Sequence, residues 1–299
     1  MLYDVTHRTT YGYGSDVSVS HHLAHLRPRQ LPAQQVDDFQ LLVEPAPAVI
    51  TERVDYYGNA TTFFSIGSPH DCLTVTACSR VRVTAPALPA PSETLAWQLV
   101  RDRCASDVLM PDSAVGEFRF ESPNIARRSV FADYAALSFV QDRPLLEAIV
   151  DFNARIFQDF KFDPRATTVA TPVDEVFKKR RGVCQDFAHL AIACLRSLGL
   201  PARYVSGYLE TLPPPGKARL IGADASHAWY SVWCSEFGWI DADPTNNLLP
   251  GDRHITVAWG RDFSDVSPLR GVVVGGSGHT LGVSVDVARV AEETANGRE

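Results

Sequence analysis

The stretch that decides the fold reads Arg180-Arg181-Gly182-Val183-Cys184-Gln185-Asp186-Phe187-Ala188-His189-Leu190. Apolar residues continue at helical spacing as far as Leu198, where Gly199 and Pro201 end the pattern. This spacing predicts a helix that begins at Cys184, so the thiol lies where a loop becomes a helix. Because a helix N-terminus favours anions, the position favours the thiolate, which is the nucleophilic form of cysteine.

Two motifs downstream can complete a nucleophilic site. They are Ser226-His227-Ala228-Trp229 and Gly238-Trp239-Ile240-Asp241-Ala242-Asp243-Pro244-Thr245. Both are typical of strands in one hairpin, and the alternation of side chains puts His227 and Asp243 on the same face. Cys184, His227 and Asp243 in this order indicate a thiol nucleophile, its general base and the carboxylate that orients the base. Asp241 lies two residues before Asp243 and therefore faces the same side of the strand, so geometry alone does not decide which carboxylate orients the base.

The composition is that of a soluble globular protein. Of 299 residues, 45% are hydrophobic and 21% are charged, which allows one large domain or two modest ones. A net charge of -7 without a long basic run argues against a nucleic-acid partner. Neither a signal peptide nor an apolar run of about 20 residues is visible, so we expect a cytoplasmic protein without a membrane partner. The six cysteines lack CxxC spacing and are expected to be free thiols, and Cys184 alone has the surroundings of a reactive one.

The pattern along the chain divides it into four regions. Residues 1–85 carry short strand-like runs between turns, which predict an antiparallel β-sandwich of two small sheets. A Pro/Ala-rich stretch then opens a connecting region, 86–143, with a short helix over about 92–102. Residues 144–290 form the predicted core, with helices beginning near 144, 172 and 184 and strands at 202–208, 227–233, 238–243, 271–274 and 281–287. The polar tail, 291–299, is expected to be disordered.

The three motifs together resemble the core of the transglutaminase-like superfamily, in particular a bacterial branch often described as cysteine proteases. The N-terminal region is similar to the β-sandwich domain of that branch, and the residues that carry this similarity are His7, Thr9, Tyr11, Leu26, Pro28, Arg29, Asp55, Gly58 and Asn59. The segment Ala258-Trp259-Gly260-Arg261-Asp262-Phe263, with Asp265, Val266 and Pro268 after it, also fits the branch. The resemblance covers nearly the whole chain.

The resemblance implies an α+β fold in which an N-terminal antiparallel β-sandwich precedes a papain-like, transglutaminase-like core. In that core a helix that bears the thiol packs on an antiparallel sheet that bears the other two residues. It further implies Cys184 as nucleophile, His227 as base and Asp243 as orienter, because the Asp-Pro-Thr context selects Asp243 over Asp241. We therefore expect a cysteine-dependent acyl-transfer enzyme that acts on peptide or amide bonds through a thioester. Its partner is a peptide or protein substrate, and for this branch water is the expected acceptor, although an amine would make it a transglutaminase.

Two other functions remain open at this stage. One is a catalytically silent interaction module, against which the intact set of three residues counts. The other is a zinc site that uses Cys184 and His227, for which the sequence shows no further ligands. We expect no metal and no cofactor, and a metal at His21, His22 and His25 is disfavoured because no cysteine or carboxylate has matching spacing. The oligomeric state is unknown.

Two details of the Cys184 region are also expectations. Gly182 is expected to allow an unusual backbone angle just before the cysteine. His189 lies more than one helical turn beyond Cys184, so we expect a packed histidine beneath the site, not its base.

Overall fold

The structure is a computed structural model that describes residues 1–106, 113–211 and 226–290. The strands are β1 (Leu2–Ala24), β2 (Gln34–Glu44), β3 (Val49–Val54), β4 (Ala60–Ile66), β5 (His70–Val83), β6 (Lys161–Phe162), β7 (Arg181–Gly182), β8 (Ala202–Leu209), β9 (Ser226–Cys234), β10 (Gly238–Ala242), β11 (His254–Gly260), β12 (Leu269–Gly275) and β13 (His279–Arg289). The helices are α1 (Trp97–Ser106), α2 (Ser113–Glu117), α3 (Ser129–Ala136), α4 (Leu145–Asp159), α5 (Val173–Lys179), α6 (Cys184–Ser197) and α7 (Phe263–Val266), with a 3-10 turn at Pro91–Glu93. The expected disordered tail, 291–299, lies outside the described residues.

The N-terminal β-sandwich is built on one long strand. The first half of β1 pairs with β5 and β13, whereas its second half, from Val17 to Ala24, pairs with β4 and β12. Phe64 and Ile66 of β4 share a buried cluster with Leu73 and Val75 of β5, so the two halves of this seven-stranded sheet pack against each other. The expected sandwich is therefore confirmed, although its two layers are continuous through β1.

The last hairpin of the described chain belongs to the same sheet. β12 and β13 both pair antiparallel with β1, and the turn between them contains Gly275, Gly276 and Gly278, all with positive φ. A glycine adopts such angles without the steric penalty of a Cβ. Sequence analysis predicts both strands but assigns them to the core region 144–290. In the structure they complete the N-terminal sheet instead.

The core combines a four-stranded antiparallel sheet with helices on one side. The strand order is β10-β9-β8-β11, and α6 packs against β9 and β8. Every side chain of α6 from Asp186 to Arg196 is buried, as expected of a helix surrounded by protein. α4 begins at Leu145 and α5 at Val173, each just after a proline, so the three helix starts predicted near 144, 172 and 184 are confirmed. None of the helices in the described ranges is long and apolar enough to cross a membrane.

Asn59 joins the sandwich to the core. Its side chain is fully buried, donates to the carbonyl of Trp259 at 2.8 Å and accepts from the Trp259 N–H at 3.0 Å. Asp55 holds this amide through a further hydrogen bond of 2.8 Å. The turn between β3 and β4 thereby fixes the position of β11, the edge strand of the core sheet.

Candidate active site

Cys184 is the first residue of α6 and is partly exposed. The Asp186 carboxylate accepts the Val183 N–H at 2.8 Å and the Thr167 hydroxyl at 2.6 Å, which satisfies one donor of the helix N-terminus. Burial raises the pKa of Asp186, although these two hydrogen bonds oppose the rise. The Cys184 N–H lies in the first turn, where helix N–H groups have no partner within the helix.

Gly182 is needed for space and not for its backbone angle. A Cβ at this position would lie 2.6 Å from Asp186 Oδ2 and 2.8 Å from Asp186 Cβ. The expectation of an unusual angle at Gly182 is wrong, because the left-handed residue in this loop is Arg180, with φ 54°. Gly182 therefore lets the Asp186 cap approach the backbone immediately before the thiol.

His227 and Asp243 come together at one end of the core sheet. His227 lies near the start of β9, and Asp243 lies one residue beyond β10, whose Ala242 pairs with Tyr230. The register makes His227 and Asp243 diagonal neighbours on one face, and His227 Nε2 is 2.7 Å from Asp243 Oδ2. The His227 side chain is 10% exposed and that of Asp243 is fully buried, so the contact is protected from water.

Five donors surround the Asp243 carboxylate. Its Oδ1 accepts the backbone N–H groups of Thr245 at 2.9 Å and Asn246 at 3.2 Å. Its Oδ2 accepts from the Asn246 side chain at 2.7 Å and contacts the Nε2 atoms of His227 at 2.7 Å and His254 at 3.2 Å. Burial by itself would raise the pKa of Asp243, but the hydrogen bonds outweigh it and hold the pKa well below its usual range. Asp243 is therefore an anion at every physiological pH.

His227 also interacts with Cys184. Burial disfavours the imidazolium, but hydrogen bonds with Asp243 and Cys184 outweigh burial and raise the pKa of His227 to about 10. Since Asp243 occupies Nε2, the bond with the sulfur falls to Nδ1. The imidazole of His227 therefore bridges the Cys184 thiol and the Asp243 carboxylate, one on each ring nitrogen.

The structure shows which of Asp241 and Asp243 faces His227, a question that the alternation of side chains in the sequence leaves open. Asp241 accepts the indole N–H of Trp229 at 2.9 Å and the hydroxyl of Ser231, so its oxygens are bound within the sheet. Asp243 faces His227 instead. Of the two carboxylates left open by geometry in the sequence, Asp243 is the one placed to orient the imidazole.

His254 is a residue of this site that sequence reasoning missed. It begins β11, is 5% exposed, and contacts the same Asp243 oxygen as His227. Its Nδ1 atom is buried and has no hydrogen-bond partner among the described residues. No local motif marks His254, because β11 comes from a later part of the chain and reaches Asp243 only through the sheet order.

These residues also answer which side chains could hold a metal. His227 Nε2, Asp243 Oδ2 and His254 Nε2 all lie within 4.8 Å of one another, so His227 has two further candidate ligands nearby, but Cys184 is not part of this group. Both histidine atoms already contact the shared oxygen at hydrogen-bond distance, and an ion would have to replace those bonds. The hydrogen bonds account for the geometry without a metal.

The remaining candidate histidines have structural partners. His189 is buried and accepts the Phe263 N–H at 3.1 Å, and burial lowers its pKa to about 4. It is thus a packed histidine, as expected. In the N-terminal cluster His21 and His22 stack on Phe63 and Phe64, whereas His25 contacts Asp55 at 3.5 Å.

The chain is similar to known proteins over most of its length. The family model of the bacterial transglutaminase-like N-terminal region matches residues 3–82, and that of the transglutaminase-like superfamily matches residues 135–244. An uncharacterized protein of Mycobacterium tuberculosis (strain H37Rv) is 44% identical over 290 residues, which cover 95% of this chain and 92% of that protein. An uncharacterized protein of Mycobacterium leprae is 33% identical, with coverage of 96% and 98%.

A protein-glutamine gamma-glutamyltransferase of Pseudomonas aeruginosa is 35% identical over 105 residues, which cover 32% of this chain and 16% of that protein. Among solved structures, a Cytophaga hutchinsonii protein named a "putative cysteine protease" is similar in fold, with a TM-score of 0.73. It covers 97% of this chain and 92% of its own, at 20% identity, so this likeness shows a shared fold.

Proposed function

This chain belongs to the transglutaminase-like superfamily, and we propose that it is a cysteine-dependent acyl-transfer enzyme acting on peptide or amide bonds. The nucleophile is Cys184, the acid and base is His227, and the orienting carboxylate is Asp243. The observation that carries the proposal is the buried 2.7 Å contact between His227 and Asp243, made by an imidazole that also bonds Cys184.

The first half-reaction forms a thioester. The Cys184 thiolate attacks the substrate carbonyl carbon, and the carbonyl oxygen becomes an oxyanion that the Cys184 N–H at the start of α6 can stabilise. His227 then gives its Nδ1 proton to the departing nitrogen as the carbon–nitrogen bond breaks. Ammonia or an amine leaves, and neutral His227 remains beside the acyl-cysteine.

The second half-reaction transfers the acyl group. Neutral His227 takes a proton from water or from an amine, which attacks the thioester and releases Cys184 as the thiolate. Asp243 stabilises the imidazolium that forms in this step, and because its oxygens already accept five contacts it does not take the proton itself. Water as acceptor gives a protease or amidase, and an amine gives a transglutaminase.

The test of the ion pair needs no substrate. Each cysteine is alkylated with iodoacetamide at pH 5.5 to 9, and the rates are read by mass spectrometry. Exposed Cys72 supplies the rate of an ordinary thiol in the same molecule. Burial raises the pKa of Cys234 to about 11, so that cysteine should react slowly throughout. We expect Cys184 to react much faster than Cys72 at pH 6, and His227→Ala to remove this advantage.

A matched substitution controls for loss of a histidine as such. His279→Ala changes an exposed histidine on β13 and should leave the Cys184 rate unchanged. If Cys184 alkylates no faster than Cys72 at pH 6 in the wild type, the proposed nucleophile is not activated and the silent interaction module becomes the better reading.

The acceptor is tested with a mixture of casein peptides. Peptide cleavage, ammonia release and incorporation of a labelled primary amine are measured for the wild type and for Cys184→Ala. Cleavage or ammonia release without amine incorporation identifies a hydrolase, whereas amine incorporation identifies a transglutaminase. Activity that persists in Cys184→Ala would contradict the mechanism.

A further inference from the structure

Behind the candidate active site, a cavity of about 320 Å³ lies between the sandwich, the proline-rich connection and the core sheet. Its volume is at the lower end of the range of roughly 300–1,000 Å³ that small-molecule sites occupy. Apolar side chains form much of the wall, among them Leu31, Val83, Leu88, Phe237 and Ile240. Neither Cys184 nor His227 lines it, so a ligand here would not be the group that reacts.

Arg203 on β8 places a guanidinium on the wall of this cavity. The residue is 7% exposed, its Nε is buried without a hydrogen-bond partner, and within the described ranges it makes no ion pair. Burial lowers the pKa of Arg203 to about 9, and the attraction of Asp241, which is also on the wall, does not offset that effect. An unpaired buried cation is costly, so a partner anion is the missing element.

The aromatic rings around Arg203 determine where its donors can point. The guanidinium carbon is 3.7 Å from the ring centre of Trp259 and 4.3 Å from that of Trp239. The Arg29 guanidinium carbon is 3.4 Å from the same Trp259 centre, and two groups this close must lie on opposite faces of the ring. Because Trp239 and Trp259 both lie against the Arg203 guanidinium, its N–H groups are left to point outward at the edge of its plane.

That edge meets open space on two sides. Arg203, Trp239 and Trp259 also line a second cavity of about 280 Å³ beside Tyr57 and Phe118. A planar guanidinium with free edge donors is the group that binds carboxylates in a bidentate manner. The other cation, Arg29, is already bound, since it donates to the Tyr57 carbonyl and the Asn59 side chain and lies near Asp55.

We infer that the 320 Å³ cavity is a binding site for an organic carboxylate with an apolar body, held by the stacked Arg203 guanidinium. The carboxylate pairs with the Arg203 edge, and the body contacts the apolar wall formed by Leu31, Val83 and Ile240. His254 lines the same cavity. Since His254 Nε2 contacts Asp243, the site lies one side chain away from the candidate catalytic residues.

Binding is tested in Cys184→Ala, so that failure of the proposed catalysis and failure of this site remain distinguishable. Calorimetry compares N-acetyl-leucine with its neutral amide, and acetyl-Ala-Ala-Leu with the corresponding peptide amide. We expect each acid to bind about ten- to a hundredfold more tightly than its amide, as for a charge-assisted hydrogen bond. The relative affinity of the two acids shows whether a free acid or a chain terminus fits better.

Three results would overturn the inference. They are no measurable binding of either acid, equal binding of acid and amide, or binding of inorganic phosphate as tight as that of the acids. Arg203→Met should abolish the preference for the acid over the amide.

A comparison of two arginines separates a ligand-binding role from a structural one. Arg196 is fully buried and donates five hydrogen bonds, two to the carbonyl of Ala202 and one each to the carbonyls of Phe120 and Arg261 and to the Ser122 hydroxyl. Arg196→Met should therefore shift the urea midpoint strongly downward, whereas Arg203→Met should leave it unchanged or raise it. Equal losses in the two variants would assign Arg203 to the scaffold and refute the site.

Discussion

Replacement of Asp243 by asparagine tests how the candidate site is charged. The substitution keeps the shape of the side chain but removes the charge 2.7 Å from His227 Nε2. At an effective dielectric constant of about 20, two unit charges at this distance attract by about 6 kcal/mol. The rise in the pKa of His227 from 6.5 to about 10 corresponds to about 5 kcal/mol, in which Cys184 shares. If Asp243 supplies only half of that, its loss is still worth about a hundredfold in the protonation equilibrium.

The direction of the pKa change at His227 follows from the interactions that remain around the imidazole in the variant. Burial continues to disfavour the imidazolium in Asp243→Asn, and only the interaction with Cys184 still supports it, so the pKa of His227 falls from about 10 toward its ordinary value. The wild type retains a protonated His227 from acidic pH up to about 10, whereas the variant loses the proton at a lower pH. We expect alkylation of Cys184 at pH 6 to slow by about a hundredfold, because transfer of the thiol proton to His227 becomes less favourable by that factor.

Asp241→Asn is the matched control. It makes the same chemical change two residues earlier, at a carboxylate that bonds Trp229 and Ser231 instead of His227. Its pH profile for Cys184 alkylation should match that of the wild type, with Cys72 as the internal reference. The reasoning is refuted if folded Asp243→Asn alkylates at pH 6 within about threefold of the wild-type rate, or if both variants lose reactivity equally.

Two further predictions concern stability. Gly182→Ala should lower the free energy of unfolding in urea by about 1–3 kcal/mol, because the new Cβ would overlap the Asp186 carboxylate. Gly251→Ala, where a Cβ would have no atom within 4 Å, should leave the stability unchanged, and equal effects of the two substitutions would contradict the close-approach argument. At Asp262 burial opposes ionisation, but hydrogen bonds from Ser122, Ser264 and Asn124 lower its pKa to about 2. This shift contributes about 2 kcal/mol to the free energy of unfolding, which is present above about pH 4 and is lost as the pH falls toward 2. Asp262→Asn should flatten the stability curve in that window, and exposed Asp71→Asn should leave it unchanged; an unaltered curve for Asp262→Asn would contradict the assignment.

Local sequence patterns were sufficient to predict the parts of the site that lie within one helix or one hairpin. The helix α6 was predictable because apolar residues recur at helical spacing after Cys184 until Gly199 and Pro201 end the pattern. The position of Cys184 at the helix tip follows from the start of that pattern. The hairpin of β9 and β10 was predictable from its turn, which put His227 and Asp243 on one face. These features depend on neighbours within about 20 residues.

Long-range pairing explains what the sequence did not reveal. β11 reaches β8 across about 50 residues, and that register alone brings His254 to Asp243. Likewise, the pattern of β12 and β13 predicts strands of the core, but both pair with β1, about 250 residues or more away in the chain. The side-chain period identifies a strand and not its partner, so these assignments required the tertiary structure.

The five donors around the Asp243 carboxylate bear on whether this site has a structural or a catalytic role. A buried carboxylate and imidazolium cost desolvation energy, and such a pair is weak evidence of a stabilising role. A scaffold could fill the same space with apolar groups, whereas here Thr245, Asn246 and His254 all supply contacts that keep Asp243 ionised. Their shared effect is to hold a proton on His227 beside a thiol at a helix N-terminus. With Cys184 as the nucleophile that we propose, this arrangement would activate the thiol, which favours the enzyme over the silent module.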